Sequence, residues 1–145
     1  MDTKKYSEHK HIAKYISQLY RKGSSYINKE ISKHGIGSGQ FMFLLELYKK
    51  DGKNQEEIAE DLKMDKGTTA RALKKLEEQG FLTRLKDEKD KRSNKIYLSD
   101  KAKNIREDIF NILDDWNKQI TRSLAKEEVK MLEDLLEKVS KNINL

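Results

Sequence analysis

Apolar residues recur along most of this chain at the three- and four-residue spacing of one helix face. Ile12, Ile16, Leu19, Tyr20, Ile27 and Ile31 form one such stripe over about residues 7–33, with Gly23 inside it. A glycine in that position marks a bend or a place where a second helix comes close. The stripe stops at residues 34–39, where three alternating glycines predict a loop. A second helix follows over about residues 40–50, carrying Phe41, Leu44, Leu45 and Tyr48, and Asp51-Gly52 predicts a turn.

From residue 54 the period stays helical but the segments shorten. Asn54 predicts an N-cap, with Glu57 completing an Asn-x-x-Glu capping box, and Ile58, Ala59 and Leu62 supply the buried face. Asp65 predicts the cap of a further helix reaching about Gln79, with Thr69, Ala72, Leu73 and Leu76 facing inward. Gly80 stands just past that helix end, where a positive φ is favoured. Residues 81–85 and 95–99 then read as two short strands, joined by a charged loop too long for a tight hairpin turn. Two amphipathic stripes close the chain. One runs through Ile105, Ile109, Ile112, Leu113, Trp116 and Ile120 behind a cap at Asp100 or Ser99; the other runs through Val129, Leu132, Leu135, Leu136, Val139 and Ile143 behind a Ser123 cap. Both need cover.

Composition sharpens this picture. A length of 145 residues predicts one domain. Charged residues make up 39% and hydrophobic ones 35%, polar for a self-contained globule, so part of the apolar surface is expected to be buried against a second copy. The net charge of +6 favours polyanions or acidic surfaces as partners. Cysteine is absent, which excludes disulfide scaffolds, zinc-thiolate sites and thiol redox sensing. No apolar run approaches the roughly 20 residues that span a bilayer, and MDTKKYSEHKH has no signal-peptide core. A cytoplasmic protein with no membrane partner is expected. Proline is also absent, so long helices are permitted.

The helix from Asp65 carries the candidate chemistry. Gly67 and Ala70 keep its outward face small, so it can approach the floor of a DNA groove. Lys66, Thr68, Thr69 and Arg71 are the candidate base contacts, since Arg suits bidentate contact with guanine, and Lys74 and Lys75 are candidate phosphate contacts. The helix N-terminus adds backbone donors for a phosphate. A solvated basic face is what such a charge run most often is, and the hairpin changes that weight. Arg84, Lys86, Lys89, Lys91, Arg92 and Lys95 cluster in and beside its tip. Arg92 is the candidate for the minor groove, with Lys89 and Lys91 on the backbone. Asp90 would repel phosphate, so its expected role is to orient the wing by fixing Arg71 or Arg92 through a charge-assisted hydrogen bond.

Residues 54–99 resemble the winged helix-turn-helix of the MarR (multiple antibiotic resistance regulator) family. The likeness runs through Gln55-Glu56-Glu57-Ile58-Ala59, Asp65-Lys66-Gly67-Thr68-Thr69-Ala70-Arg71 and Leu76-Glu77-Glu78-Gln79-Gly80-Phe81 to the wing signature Asp90-x-Arg92-Ser93. Gln40-Phe41 with Leu44, and the stretch from Leu124 to Leu136, extend it over nearly the whole chain. Two positions depart from the family pattern: Leu98-Ser99-Asp100-Lys101-Ala102 replaces Leu-Thr-x-x-Gly, and Ala125 stands where Ser or Thr is common. The resemblance implies a mainly α fold with a small β-hairpin wing, in a single MarR-like domain. Residues 37–99 would form the DNA-binding lobe, and residues 7–33 and 100–145 the dimerisation helices. It further implies a homodimeric regulator, a repressor, that binds double-stranded DNA at a pseudo-palindromic operator, with its recognition helices about one DNA turn apart. A small aromatic or anionic effector is implied too, in a cleft bordered here by Tyr20, Tyr26, His34, Phe41 and Tyr48. Lack of cysteine excludes the branch that senses peroxide through a reactive thiol.

Other chemistries fare worse. His9 and His11 form an HxH pair and His34 precedes the glycines, but no thiolate or matching carboxylate accompanies them, so neither metal nor other cofactor is expected. Gly35-x-Gly37-x-Gly39 lacks the strand and spacing of a phosphate-binding loop. No nucleophile is paired with a base, which argues against an enzyme. The rival reading is a winged-helix module for protein–protein interaction, without specific DNA binding, whose charged surface meets an acidic partner.

Overall fold

The computed structural model describes residues 3–37 and 39–143, with side chains from His11 onward. Ser38 of the glycine loop and the side chain of His9 lie outside the described residues. The elements are α1 (Thr3–Ser32), α2 (Phe41–Lys49), β1 (Lys53–Asn54), α3 (Gln55–Asp61), α4 (Lys66–Glu78), β2 (Leu82–Lys86), β3 (Asn94–Leu98), α5 (Asp100–Asn104), α6 (Arg106–Thr121) and α7 (Lys126–Ser140). The fold is mainly α with a small antiparallel sheet in the order β1-β3-β2. None of the described helices is long and apolar enough to cross a membrane.

Local chemistry explains most boundaries. Asn54 accepts from the Glu57 amide at 2.8 Å and caps α3. The reciprocal half of the capping box does not form: among the described hydrogen bonds, Glu57 returns none to Asn54. Besides capping α3, Asn54 pairs with Lys95 of β3, and Lys53 lies opposite Ile96. Gly52 and Gly80 take φ of +79° and +82°, conformations that an L side chain resists. The Asp51 carboxylate closes the first of these turns by accepting from the amides of Gly52 and Leu98.

The C-terminal half departs from expectation in two places. Ser99, one of the two expected caps, accepts from the Ala102 amide at the start of α5, but the expected single helix is broken at Ile105 (φ −98°, ψ 1°). Ser123 does not cap α7. Ala125 occupies the cap position, and Glu128 reaches back to accept from its amide at 2.9 Å.

Leu44, Leu47, Ile58, Leu73, Leu76, Phe81 and Ile96 join α2, α3, α4 and the sheet in one core. Ile36, set between glycines, is buried in it as well. The short α5 ties this core together. The Ser99 hydroxyl donates to the Gly80 carbonyl, Lys101 donates to the Gln79 carbonyl and lies over the Phe81 ring, and Tyr48 donates to the Ala102 carbonyl. The exit end of α4 is thereby fixed to the start of the long-helix scaffold.

Outside that core the helices are thinly covered. Every residue of α1 from His11 to Tyr20 is exposed, and α7 buries none of its side chains. The glycine in the α1 stripe proves to be a close helix approach rather than a bend. A Cβ at Gly23 would lie 3.0 Å from three atoms of the Trp116 indole on α6, which Tyr26 backs by stacking. Gly23→Leu is therefore expected to separate α1 from α6 and to cost about 2 kcal/mol, overpacking outweighing the helix-propensity gain. Denaturant unfolding measures it, and an unchanged midpoint would contradict the contact.

Candidate nucleic-acid interface

α4 presents two chemically distinct faces. Thr69, Ala72, Leu73 and Leu76 are buried, while Lys66, Gly67, Arg71, Lys74, Lys75 and Glu78 are exposed. The helix begins where Asp65 accepts from the Thr68 amide at 2.9 Å. The Thr68 side chain, and then its amide, hold the Asp65 carboxyl below its usual range, so the cap stays ionised. Arg71 donates to the Thr68 hydroxyl at 3.3 Å, which leans its guanidinium toward the helix start. A Cβ on Gly67 would come within 3.3 Å of that guanidinium, so the smallness of residue 67 keeps room for Arg71.

Thr69 needs correction as a base contact. It is fully buried, and its hydroxyl donates to the Asp65 carbonyl at 2.9 Å, so it braces the helix from within. A four-residue step from the cap places it on the core side, where no groove can reach.

The wing tip, residues 87–93, is shaped by two aspartates. Asp87 accepts from the Lys89 amide at 2.9 Å and Asp90 from the Arg92 amide at 3.0 Å. Asp90 therefore orients the wing through its backbone and not by gripping a guanidinium; among the described ion pairs it has none. Lys89, Lys91 and Arg92 stand exposed around the turns that result. Arg84 behaves differently from the rest of the basic cluster. It turns back under the wing onto Glu77 and Gln55.

Among the described ion pairs, none involves Lys66, Arg71, Lys74, Lys75, Lys89, Lys91 or Arg92. Cations left unpaired along one helix face and one protruding turn make a surface suited to a polyanion.

The five cleft candidates differ in their surroundings. Tyr48 is buried against Phe110, and burial pushes its hydroxyl up to about 12, opposed by the Arg106 charge, so it remains a neutral donor. Tyr26 lies on Trp116, Phe41 and His34 are half-buried, and Tyr20 is 74% exposed on the α1 arm. Among the described residues, no group of three or more carboxylates and histidines is placed to hold a metal ion.

One cluster escaped the sequence. Lys53 is only 11% exposed and reaches Asp61 at 2.7 Å and Glu46 at 3.3 Å, bridging β1, α3 and α2 beneath the wing. A lysine seven or eight residues from its partners has no local signature.

A family model described as MarR family matches residues 36–93. The HTH-type transcriptional regulator BilQ of Clostridium symbiosum (strain WAL-14163) is 33% identical over 128 residues, 88% of this chain and 89% of its own. A MarR transcriptional regulator from Methanosarcina mazei Go1 superposes with a TM-score of 0.86 at 44% identity, covering 92% of this chain and 96% of that one. A putative MarR family regulator from Listeria monocytogenes, solved in complex with 26mer DNA, gives a TM-score of 0.86 at 27% identity, over 90% and 86% of the two chains.

Proposed function

This chain belongs to the MarR family of transcriptional regulators, and from that premise we propose that it is a homodimeric repressor that occupies a pseudo-palindromic operator. The observation that carries the reading is the set of unpaired cations on α4 and the wing. Lys66, Thr68 and Arg71 read base edges, Lys74 and Lys75 hold phosphates, Arg92 enters the minor groove, and Lys89 and Lys91 flank it on the backbone. Two unpartnered apolar stripes, on the first half of α1 and along α7, support the second copy. The residues 37–99 act as the DNA-binding lobe, and the flanking helices as the dimer scaffold. The protein works in the cytoplasm, where bound repressor blocks a promoter. A small anionic or aromatic effector releases it by shifting the separation of the two lobes, so that both half-sites cannot be engaged at once.

Selection of duplexes from a random library by the purified protein tests this. A symmetric motif with two half-sites is the expected result, and recovery of no preferred sequence would overturn the specific-regulator reading. Within the selected site, Arg71→Ala is expected to weaken binding by about 1–3 kcal/mol and to relax preference at one base pair of each half-site. Lys74→Ala is expected to weaken cognate and random DNA alike and to lower the salt slope by about one phosphate per protomer.

A further inference from the structure

Arg84 lies on the core-facing side of β2, opposite the fully buried Ile96. Its side chain is 25% exposed. Nε forms an ion pair with Glu77 Oε2 at 3.0 Å, in the last turn of α4, and Nη1 donates to Gln55 Oε1 at 3.1 Å, at the first residue of α3. One planar group thus touches the strand that carries the wing, the first helix of the motif and the recognition helix. A guanidinium is a rigid plane, so a hydrogen bond to Gln55 at one nitrogen and an ion pair with Glu77 at another tie it at two points.

We propose that Arg84 is a positioning residue for DNA recognition: it makes no DNA contact and sets the angle between the wing and the recognition helix. The hydrophobic side of the sheet supplies Leu82, Ile96 and Leu98 nearer the core, but outward of Arg84 the hairpin has its own ladder, one pairing of Lys95 with Asn54 of β1, and the charged tip. The tip lies about four residues farther out, on the order of 13 Å at the rise of a strand. A slack of roughly 10° at the base would therefore move Arg92 by about 2 Å, more than a minor-groove contact tolerates. The partners match this role, since Glu77 and Gln55 both belong to elements that a bound duplex would face.

The inference rests on the DNA-binding reading, and its test separates the two. The variant pair Arg84→Met with Glu77→Gln removes the clamp while leaving the local net charge unchanged. Wild type, this double variant, Arg92→Ala and the combination are titrated with the duplex that wild type selects and with a scrambled duplex, over a salt series. Loss of the clamp is expected to weaken the selected duplex about tenfold, change scrambled binding less than about twofold and leave the salt slope intact. Arg92→Ala, worth about tenfold in wild type, is expected to cost less than about threefold once the clamp is gone. A slope lower by about one phosphate, equal losses on both duplexes, or an undiminished Arg92 effect would each overturn the positioning role alone. A wild type that selects no duplex overturns both readings. Should the double variant fail to fold, Gln55→Leu keeps the ion pair and cuts the second arm; a selective loss of about threefold supports the clamp, and no loss overturns it.

Discussion

Leu135→Glu is expected to turn the protein into a monomer at micromolar concentration and to weaken operator binding on the order of 100-fold. Leu135 is 52% exposed in the single chain and lies in the α7 stripe with Leu132, Leu136 and Val139. In the proposed dimer this stripe is covered, and a carboxylate placed there would be buried without a partner, a cost of several kcal/mol that the interface must absorb. A lone protomer reaches one half-site, so it forfeits the effective concentration that joins two binding events, a factor of about 10²–10⁴. The lobe itself should stay folded, because Leu135 belongs to no part of the core that joins α2, α3, α4 and the sheet. Sedimentation equilibrium with a DNA titration checks both halves of the expectation. A variant that remains dimeric would remove α7 from the interface.

Lys53→Met is expected to lower stability by about 2–3 kcal/mol and the thermal midpoint by roughly 6–9 °C. Methionine keeps the packed stem, so the change isolates the charge. Glu46, 12% exposed, would be left with only the exposed Lys49 at 3.2 Å. The figure lies below that for a fully buried pair because Asp61 is nearly half exposed. Hydrogen bonding to Asp61 first, and to Glu46 as well, raises the Lys53 ammonium above its ordinary 10.5, against the opposing effect of burial. A raised folded-state value means the stabilisation is complete below pH 10.5 and is lost as pH rises through the folded value. The gap between wild type and variant should therefore hold steady near neutral pH and close in the alkaline range. Denaturant titrations at pH 7 and above pH 10.5 measure it, and a gap that widened with pH would contradict the assignment.

What was legible in the sequence was local. Asn54, Asp65 and Gly80 act within three or four residues of themselves, and each does in the structure what its residue type predicts. The inward stripe of α4 was equally plain, since a helix repeats its geometry every turn. Thr69 shows the limit of that legibility: its place in the buried stripe outweighs its suitability as a polar contact. Lys53 and Arg84 were opaque for a different reason. Their partners are brought close by the fold, with Gln55 twenty-nine residues from Arg84, and a cation in a charged stretch looks the same whether it is clamped or free. Ser123 misled because hydroxyl preference at caps is a tendency; Glu128 meets the same amide from inside the helix. The break at Ile105 has no proline or glycine to announce it.

The ties of α5 give the proposed dimer the character of a caliper. Ser99 and Lys101 seize the Gly80 and Gln79 carbonyls just past the recognition helix, and the five-residue α5 that Ser99 caps leads into the long helix α6. No slack linker separates reading head from frame, so the distance and relative twist of the two heads are properties of the frame. One base pair inserted between half-sites would ask one head to advance about 3.4 Å and turn by about 35°, on the ten-base-pair repeat of the duplex. A joint held by three hydrogen bonds and a buried alanine does not follow such a turn. Discrimination among operators would then come from their spacing as much as from their letters.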